Sequence, residues 1–505
     1  MPSHSPSVAR SALWNHAGRL TDYVAWYCSS VLIARGLGVE LNGILAGMMS
    51  GVHLLLAFSS LGLEVAVNKF IPQIVGDDIA PRARAIVRRA ALVRLLLYLL
   101  VAVLFLAGFR WVIGDQAGMT STALMVLLFY GLFRGLSSLA AMVLVARWHT
   151  DRAAVITGAT RLFELGVLIV LFNIGMDLLP VILVLTCTLA LQVMGYVTAA
   201  KEYWVGPETR VPMRPVWVFG SIFWANTVVD YFLGRQGDIL FITLLSPHTS
   251  SAALYDVAYS ILQAGSMVVT VGFSGVTLAA FARLALGERS GMDRFYGSLV
   301  RITSFLVIPV LGFLIVSASD IIELLYSDAY AGAAVVLQVL LTLRIVARLF
   351  AGGENADYLL ALDRVSEIVW IGIVGAGVTI GLHLILIPRF DVVGAAWAAG
   401  IGAGSANVLG VLRVRRYGAA TIEWRTWGLV VVITAVAGFI VFLLPSSGST
   451  GFDVIARGIL FMGCFTGLVM VLRPLERHDS DTVASVSPRL QRTVFRMARK
   501  LEDPG

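Results

Sequence analysis

The sequence of 505 residues is dominated by apolar side chains: 58% are hydrophobic, 14% are charged, and the mean hydropathy is +0.85. This composition excludes a soluble globular protein and leaves no room for a sizeable soluble domain. The net charge of +7 requires no nucleic-acid partner, because the placement of Lys and Arg between the apolar segments accounts for it.

Apolar segments of about 20 residues recur along the whole chain, which is the length that a helix needs to cross a bilayer core. We predict an all-α, polytopic membrane protein with about fourteen transmembrane helices. Their approximate spans are 14–34, 42–65, 91–109, 119–146, 153–173, 178–200, 216–245, 251–281, 297–318, 331–351, 358–386, 392–412, 427–444 and 454–472. Arg19 and Asp22 interrupt the first span and no cleavage site follows, so it should remain as a helix.

Lys and Arg are concentrated in alternate loops between these spans. If the N-terminus is inside, the cytoplasmic loops hold Lys69, Arg82, Arg84, Arg88, Arg89, Arg147, Arg152, Lys201, Arg210, Arg214, Arg283, Arg289, Arg294, Arg364, Arg413, Arg415, Arg416 and Arg425. The opposite loops hold only Arg35, Arg110 and Arg389. Because Lys and Arg near helix ends are retained on the cytoplasmic side, this asymmetry predicts that both termini are cytoplasmic.

A faint internal repeat predicts two similar halves. Residues 38–50 and 246–260 both pass from a tight polar turn through a small residue into a helix, with the same predicted orientation. We predict a six-helix lobe over residues 1–200, a second over 201–412, a C-terminal helix pair over 413–472 and a cytoplasmic tail over 473–505. Arg and Lys beside apolar residues at helical spacing in that tail predict a basic amphipathic helix on the inner leaflet; a solvated tail is the alternative.

Five sequence motifs occur in the order and spacing of a known transporter family. They are ARGLGVELNG (34–43), FSSLGLEVAVNKFIPQIV (58–75), LLYSDAYAGAAVVLQVLL (324–341), LLALDRVSE (359–367) and IPRFDVVGAAWA (387–398). With them the chain resembles the Wzx-type O-antigen flippases, the polysaccharide-transporter branch of the multidrug/oligosaccharidyl-lipid/polysaccharide exporter superfamily. The motif glycines also have a structural interpretation, as turn residues and as sites of close helix packing.

The resemblance implies a flippase of the inner (cytoplasmic) membrane. Such a protein moves an undecaprenyl-pyrophosphate-linked oligosaccharide repeat unit to the external leaflet by alternating access, for surface polysaccharide biosynthesis. It implies no enzymatic step, no cofactor and no metal, with the lipid-linked oligosaccharide, membrane lipids and the polymerase and glycosyltransferases of the pathway as partners. A cation-coupled small-molecule exporter of the same superfamily is the alternative, because buried carboxylates are a common basis of proton or sodium coupling.

Charged residues inside a span are costly to insert, so they should face protein or a wet cavity. The candidates are Arg19, Asp22, Arg134, Arg161, Glu164, Asp230, Arg235, Asp238, Asp256, Arg344 and Glu367. Arg19 with Asp22, Arg161 with Glu164, and Arg235 with Asp238 are spaced i, i+3 and are predicted to neutralise each other on one helix face. These pairs are candidates both for a structural role and for the cavity.

Arg134 and Arg344 have no acidic residue within four positions on their own helices. They lie on the fourth and tenth spans, which are equivalent in the two predicted lobes. Guanidinium groups suit a pyrophosphate because they are permanently charged and present planar forks of donors. The competing interpretation is an ion pair between helices.

Tyr255, Tyr259 and Gln263 form a polar stripe at helical spacing on the eighth span, continued by Ser266 and Thr270. Tyr130, Arg134 and Ser138 form a similar stripe on the fourth. Both stripes are candidates for lining a sugar path, and hydrogen bonding between helices is the alternative.

Overall fold

The structure, a computed structural model, describes residues 8–74, 79–112, 121–270, 276–285, 289–418, 423–444, 450–475 and 479. Every long element in these ranges is an α-helix. The helices are α1 (Val8–Ser59), α2 (Leu63–Phe70), α3 (Ile79–Val112), α4 (Ser121–Ala146), α5 (Thr150–Ile174), α6 (Leu178–Ala199), α7 (Arg214–Leu233), α8 (Arg235–Leu245), α9 (Ser250–Thr270), α10 (Val276–Leu284), α11 (Arg289–Val316), α12 (Ala318–Tyr326), α13 (Ala333–Ala347), α14 (Gly353–Ala361), α15 (Val365–Tyr417), α16 (Trp424–Phe442) and α17 (Thr450–Leu472).

Eleven helical segments among the described residues are long and apolar enough to cross a membrane. Two of them contain a backbone break where the sequence predicts a loop between two spans: α1 breaks at Gly38 (φ 74°) and α15 at Asp391 (φ 50°). In α15 the chain turns back on itself, because Gly394 packs against Leu386 and Gly402 against Thr379. The all-α polytopic fold is confirmed, and the number fourteen stays a prediction.

Several predicted spans differ from the structure at their ends or in their middle. The second is interrupted after Ser59, where α1 ends, and the ninth begins at Arg289, eight residues before its predicted start. The third begins at Ile79, twelve residues before its predicted start, because its basic first turns are helical and hold the connection between α6 and α7: Arg84 Nη2 donates to Glu202 O at 2.7 Å and Arg88 Nε to Trp204 O at 2.8 Å. The seventh is broken at Gly234 into α7 and α8.

The eleventh span was predicted to begin at residue 358, but residues 353–361 form a separate helix, α14. A turn at Asp363 (φ 57°) then leads into α15. The predicted amphipathic tail helix lies outside the described residues.

The chain divides by packing into two compact units: unit 1 is Met1–Leu244 with His248–Ala253, and unit 2 is Leu245–Pro247 with Leu254–Gly505. Many large apolar side chains on the helix surfaces are exposed, such as Leu100, Val103 and Leu104 on α3. Exposure of this kind is expected of a surface that faces lipid. The lobes that the internal repeat predicts, residues 1–200 and 201–412, remain a prediction.

Candidate functional site

Arg161 on α5 lies at the centre of a charged cluster in unit 1. Its Nε donates to Asp22 Oδ1 of α1 at 2.8 Å, and its Nη1 donates to the two carboxylate oxygens of Glu164 at 2.9 and 3.1 Å. The Glu164 side chain is 2% exposed, whereas that of Asp22 is 43% exposed. The predicted pairing of Arg161 with Glu164 is confirmed. Asp22 is bound by Arg161, and the side chain of Arg19, its predicted partner, lies outside the described residues.

Arg134 on α4 stands apart from this pairing. It makes no ion pair and no hydrogen bond with any other residue that the structure describes. It follows the exposed residues Met125 and Phe129 by nine and five positions, so it lies on the opposite face of α4. His53 of α1 and Tyr196 of α6 both lie within its electrostatic influence. The half-buried Arg134 therefore points away from the face of α4 that presents Met125 and Phe129, and its donors meet no acceptor among the described residues.

Arg235 begins α8, directly after the break at Gly234. Its guanidinium carbon is 5.4 Å from the centroid of the Trp26 ring on α1, a cation–π contact. The break is fixed by Ser50, whose hydroxyl donates to Gln236 O at 2.5 Å and contacts the Tyr231 hydroxyl at 3.1 Å. A side chain at position 237 would collide with the backbone of Tyr231 and Phe232, which explains the glycine there.

Charged side chains of α1, α4, α5 and α8 lie within electrostatic range of the same two residues of unit 1, His53 and Tyr196. Tyr196 lies within the electrostatic influence of Asp22, Arg134 and Arg161, and His53 within that of Arg134 and Arg235. His53 Nδ1 is 2.7 Å from Met49 O, and because a carbonyl oxygen only accepts, Nδ1 carries the hydrogen. We name the group Asp22, Arg134, Arg161 and Arg235 the unit 1 charge cluster.

In unit 2, Arg344 is exposed and forms no ion pair or hydrogen bond within the described part of the chain. Leu337 and Leu340, on its own face of α13, are buried, whereas the exposed Val335 and Val346 lie on the opposite face. Arg344 therefore points away from the apolar exposed face of its helix.

Arg348, one turn after Arg344, was not predicted and has the opposite character. Its guanidinium binds Glu354 at 2.5 and 3.0 Å and also contacts the hydroxyls of Thr303 and Ser304. This pair braces the break between α13 and α14, where Ala351 has φ 61°. Arg94 and Glu64 form a second ion pair that was missed, at 3.3 Å in unit 1. Each joins residues that sequence spacing does not relate.

The predicted polar stripe on α9 is only partly accessible. Tyr255 is fully buried, Tyr259 is half-buried with its ring centroid 6.0 Å from that of Tyr255, and Gln263 is exposed. The side chain of Thr270 lies outside the described residues. On α4, Ser138 donates to Glu64 at 3.4 Å, so part of that stripe takes part in contacts between helices.

Two kinds of comparison bear on this arrangement. The family model described as "Polysaccharide biosynthesis protein" matches residues 121–335, from the start of α4 into α13. Among solved structures, the chain is similar to the lipid II flippase MurJ in an inward closed conformation, with a TM-score of 0.71 and 12% identity over 90% of this chain and 97% of that one. No curated protein sequence matches the chain.

The fold is also that of the multidrug transporters of the MOP superfamily. An inward-facing multidrug resistance MATE transporter matches with a TM-score of 0.65 and 13% identity over 78% of this chain and 94% of that one. A MOP superfamily transporter from Pyrococcus furiosus, described as having a binding pocket of reverse polarity, matches with a TM-score of 0.54 and 13% identity over 81% and 94%.

The family match spans 215 of the 505 residues, and the fold is similar to that of the lipid II flippase MurJ and of a MATE transporter. The resemblance in the five motifs is thereby confirmed.

Proposed function

We propose that this protein flips an undecaprenyl-pyrophosphate-linked oligosaccharide repeat unit across the inner membrane, for surface polysaccharide biosynthesis. It works by alternating access, with both termini in the cytoplasm. The polymerase and glycosyltransferases of the same pathway are its partners. Arg134 carries the proposal: a half-buried guanidinium, with no carboxylate in contact among the described residues, is poised to bind an anion that arrives with the cargo.

The roles of the arginines follow from their partners. Arg134 forms no ion pair or hydrogen bond with a described residue, so its donors can bind the pyrophosphate, whose oxygens are acceptors. In unit 2, Arg344 likewise has no ion pair among the described residues. Arg235, held on the Trp26 ring, adds a third positive charge. Arg161 is already bound by Asp22 and Glu164, so its charge is neutralised and its ion pair with Asp22 joins α5 to α1.

A cation-coupled small-molecule exporter is the second candidate. Asp22 and Glu164 share one arginine, so the trio carries one carboxylate in excess, and a carboxylate that gains and loses a proton is a common basis of coupling. The similarity to MATE transporters favours this function as well. The two functions differ in what they require of Arg134: an anionic cargo needs its charge, whereas a cationic drug is repelled by it.

Flipping in liposomes tests the proposal directly. Purified protein is reconstituted with a fluorescent polyprenyl-pyrophosphate oligosaccharide from the host strain, and the externally accessible fraction is followed with and without proton and sodium gradients. We expect translocation by the wild type and its loss in Arg134→Ala. Failure of the wild type under every gradient, together with altered drug resistance and normal surface polysaccharide in a deletion strain, would favour the exporter instead.

A further inference from the structure

An aromatic pair lies beside the unit 1 charge cluster. Tyr23 and Trp26 are three residues apart on α1, and their ring centroids are 5.4 Å apart at an angle of 45°. Asp22 shares this part of the helix surface, because residues 22, 23 and 26 fall within about 100° at 100° per residue. Both rings are half-buried, so each keeps some of its surface accessible.

The surroundings of this pair are polar on one side. Trp26 is covered by the Arg235 guanidinium at 5.4 Å, and Asp22 holds Arg161 at 2.8 Å. The exposed apolar residues of this stretch, Leu20 and Val24, lie about 120° and 160° around the helix from Trp26. Trp26 therefore faces the charge cluster, whereas Tyr23 lies between Trp26 and Leu20, about 60° from each around the helix.

The hydroxyl of Tyr23 is a buried polar group. Its oxygen is buried, yet it forms no hydrogen bond with any residue in the described ranges. The indole N–H of Trp26 also has no acceptor among these residues, although it is not buried. Buried polar groups are normally paired, and leaving one unpaired is destabilising. An aromatic pair with two unused polar groups, next to a carboxylate and guanidiniums, suits a ligand with both an apolar face and hydroxyl groups.

We propose that Tyr23 and Trp26 form the sugar subsite of the cargo, where the ring next to the pyrophosphate stacks. A sugar ring offers C–H groups to an aromatic face and hydroxyls to Asp22 Oδ2 and the Tyr23 hydroxyl. The adjacent arginines then meet the pyrophosphate. This inference rests on the proposed flippase function and adds the residues that contact the saccharide. The predicted polar stripe on α9 is a poorer candidate for that contact, because its Tyr255 is buried.

The test compares two ligands that differ only in the sugar: undecaprenyl pyrophosphate, and undecaprenyl pyrophosphate bearing one N-acetylglucosamine. Each is titrated into the full-length protein in nanodiscs, and the ratio of the two affinities is the readout. We expect Tyr23→Phe to lower the preference for the sugar-bearing ligand about fivefold, the effect of one lost hydrogen bond. Trp26→Leu lowers it about tenfold.

Two further variants separate the sugar subsite from its alternatives. Arg134→Ala weakens both ligands and leaves their ratio unchanged, because it acts on the pyrophosphate. Tyr98 on α3 has a hydroxyl that donates to Leu128 O on α4 at 2.6 Å. Tyr98→Phe removes this hydrogen bond, so it lowers thermal stability without changing the ratio of the two affinities. Tyr23→Phe, in contrast, leaves the thermal stability of the empty protein equal or higher, since its hydroxyl has no described partner to lose.

An unchanged ratio in both Tyr23→Phe and Trp26→Leu would overturn the inference while leaving the flippase intact. An equal loss of both ligands in Trp26→Leu would mean that the ring only holds Arg235, which also overturns it. Binding of neither ligand by the wild type refutes the proposed function itself, and the sugar subsite with it.

Discussion

The turn between α4 and α5 in unit 1 and the turn between α14 and α15 in unit 2 have the same backbone. In the first, the N–H of His149 donates to Leu144 O at 2.9 Å; in the second, the N–H of Arg364 donates to Leu359 O at 2.9 Å. Donors and acceptors are each 215 residues apart between the two turns. The residues before the two donors both have positive φ, 61° and 57°. The two turns therefore share one backbone conformation, and the repeat predicted over residues 38–50 and 246–260 stays a prediction.

The helices that lead into these turns differ. α4 is continuous through Arg134, whereas the corresponding position 215 residues later falls beside Arg348, where α13 ends. In unit 1 this position holds Arg134, which forms no ion pair with a described residue. In unit 2 it lies beside Arg348, which is bound to Glu354, and Arg344 lies one turn earlier. The two turns are therefore equivalent in backbone, whereas the arginines near them differ in whether they pair with a described carboxylate.

The largest expected effect comes from Arg134 and Arg344, the two candidate arginines that form no ion pair with a described residue. Arg134→Ala and Arg344→Ala should abolish export while membrane abundance stays normal, because no described carboxylate loses its partner. Arg134→Lys restores part of the activity, since an ammonium keeps the charge but not the planar donor fork. Surface polysaccharide and immunoblots of membrane fractions measure the two quantities. Normal export from both Ala variants would contradict this prediction and show that export does not require Arg134 or Arg344.

The paired arginine should respond in the opposite way. Glu354→Ala leaves Arg348, whose side chain is 13% exposed, without its counter-ion and should cost about 3 kcal/mol of stability, visible as lost membrane abundance and a lower melting temperature in detergent. The double variant Arg348→Met with Glu354→Leu removes both charges and should recover most of that loss. Arg344→Ala is the matched control one turn away. Full stability of Glu354→Ala would show that the ion pair does not brace the break between α13 and α14.

The smallest effect concerns the two equivalent turns. Trp148 adopts positive φ, which is unusual for a bulky residue, whereas Asp363 is of a type that tolerates this region. Trp148→Gly should therefore raise stability by about 0.5–1 kcal/mol relative to Trp148→Ala, which keeps a Cβ atom at the same φ. Asp363→Gly relative to Asp363→Ala should show the same sign. Equal melting temperatures for Gly and Ala at both positions would contradict the assignment of strain.

Sequence alone determined the parts of this protein that depend on short stretches of chain. Hydropathy marked the membrane helices, and i, i+3 spacing predicted the contact of Arg161 with Glu164. Each of the five motifs contains a residue with positive φ at a turn or helix break: Gly38, Gly62, Ser327, Asp363 and Asp391. Backbone conformation at a turn is set by a few neighbouring residues, so such motifs identify the family by its fold. They say little about the cargo.

Tertiary structure decided which charges meet. Asp22 binds Arg161 across 139 positions of sequence, Arg94 binds Glu64 from another helix, and Arg134 is left without a described partner. The proximity of Trp26 to Arg235 likewise follows from how α1 packs beside α8. The sequence of a membrane span shows that the span is a helix, but the rotation of the helix and its neighbours are fixed by packing with other helices. For that reason the candidate arginines were predictable, and their division into paired and unpaired was not.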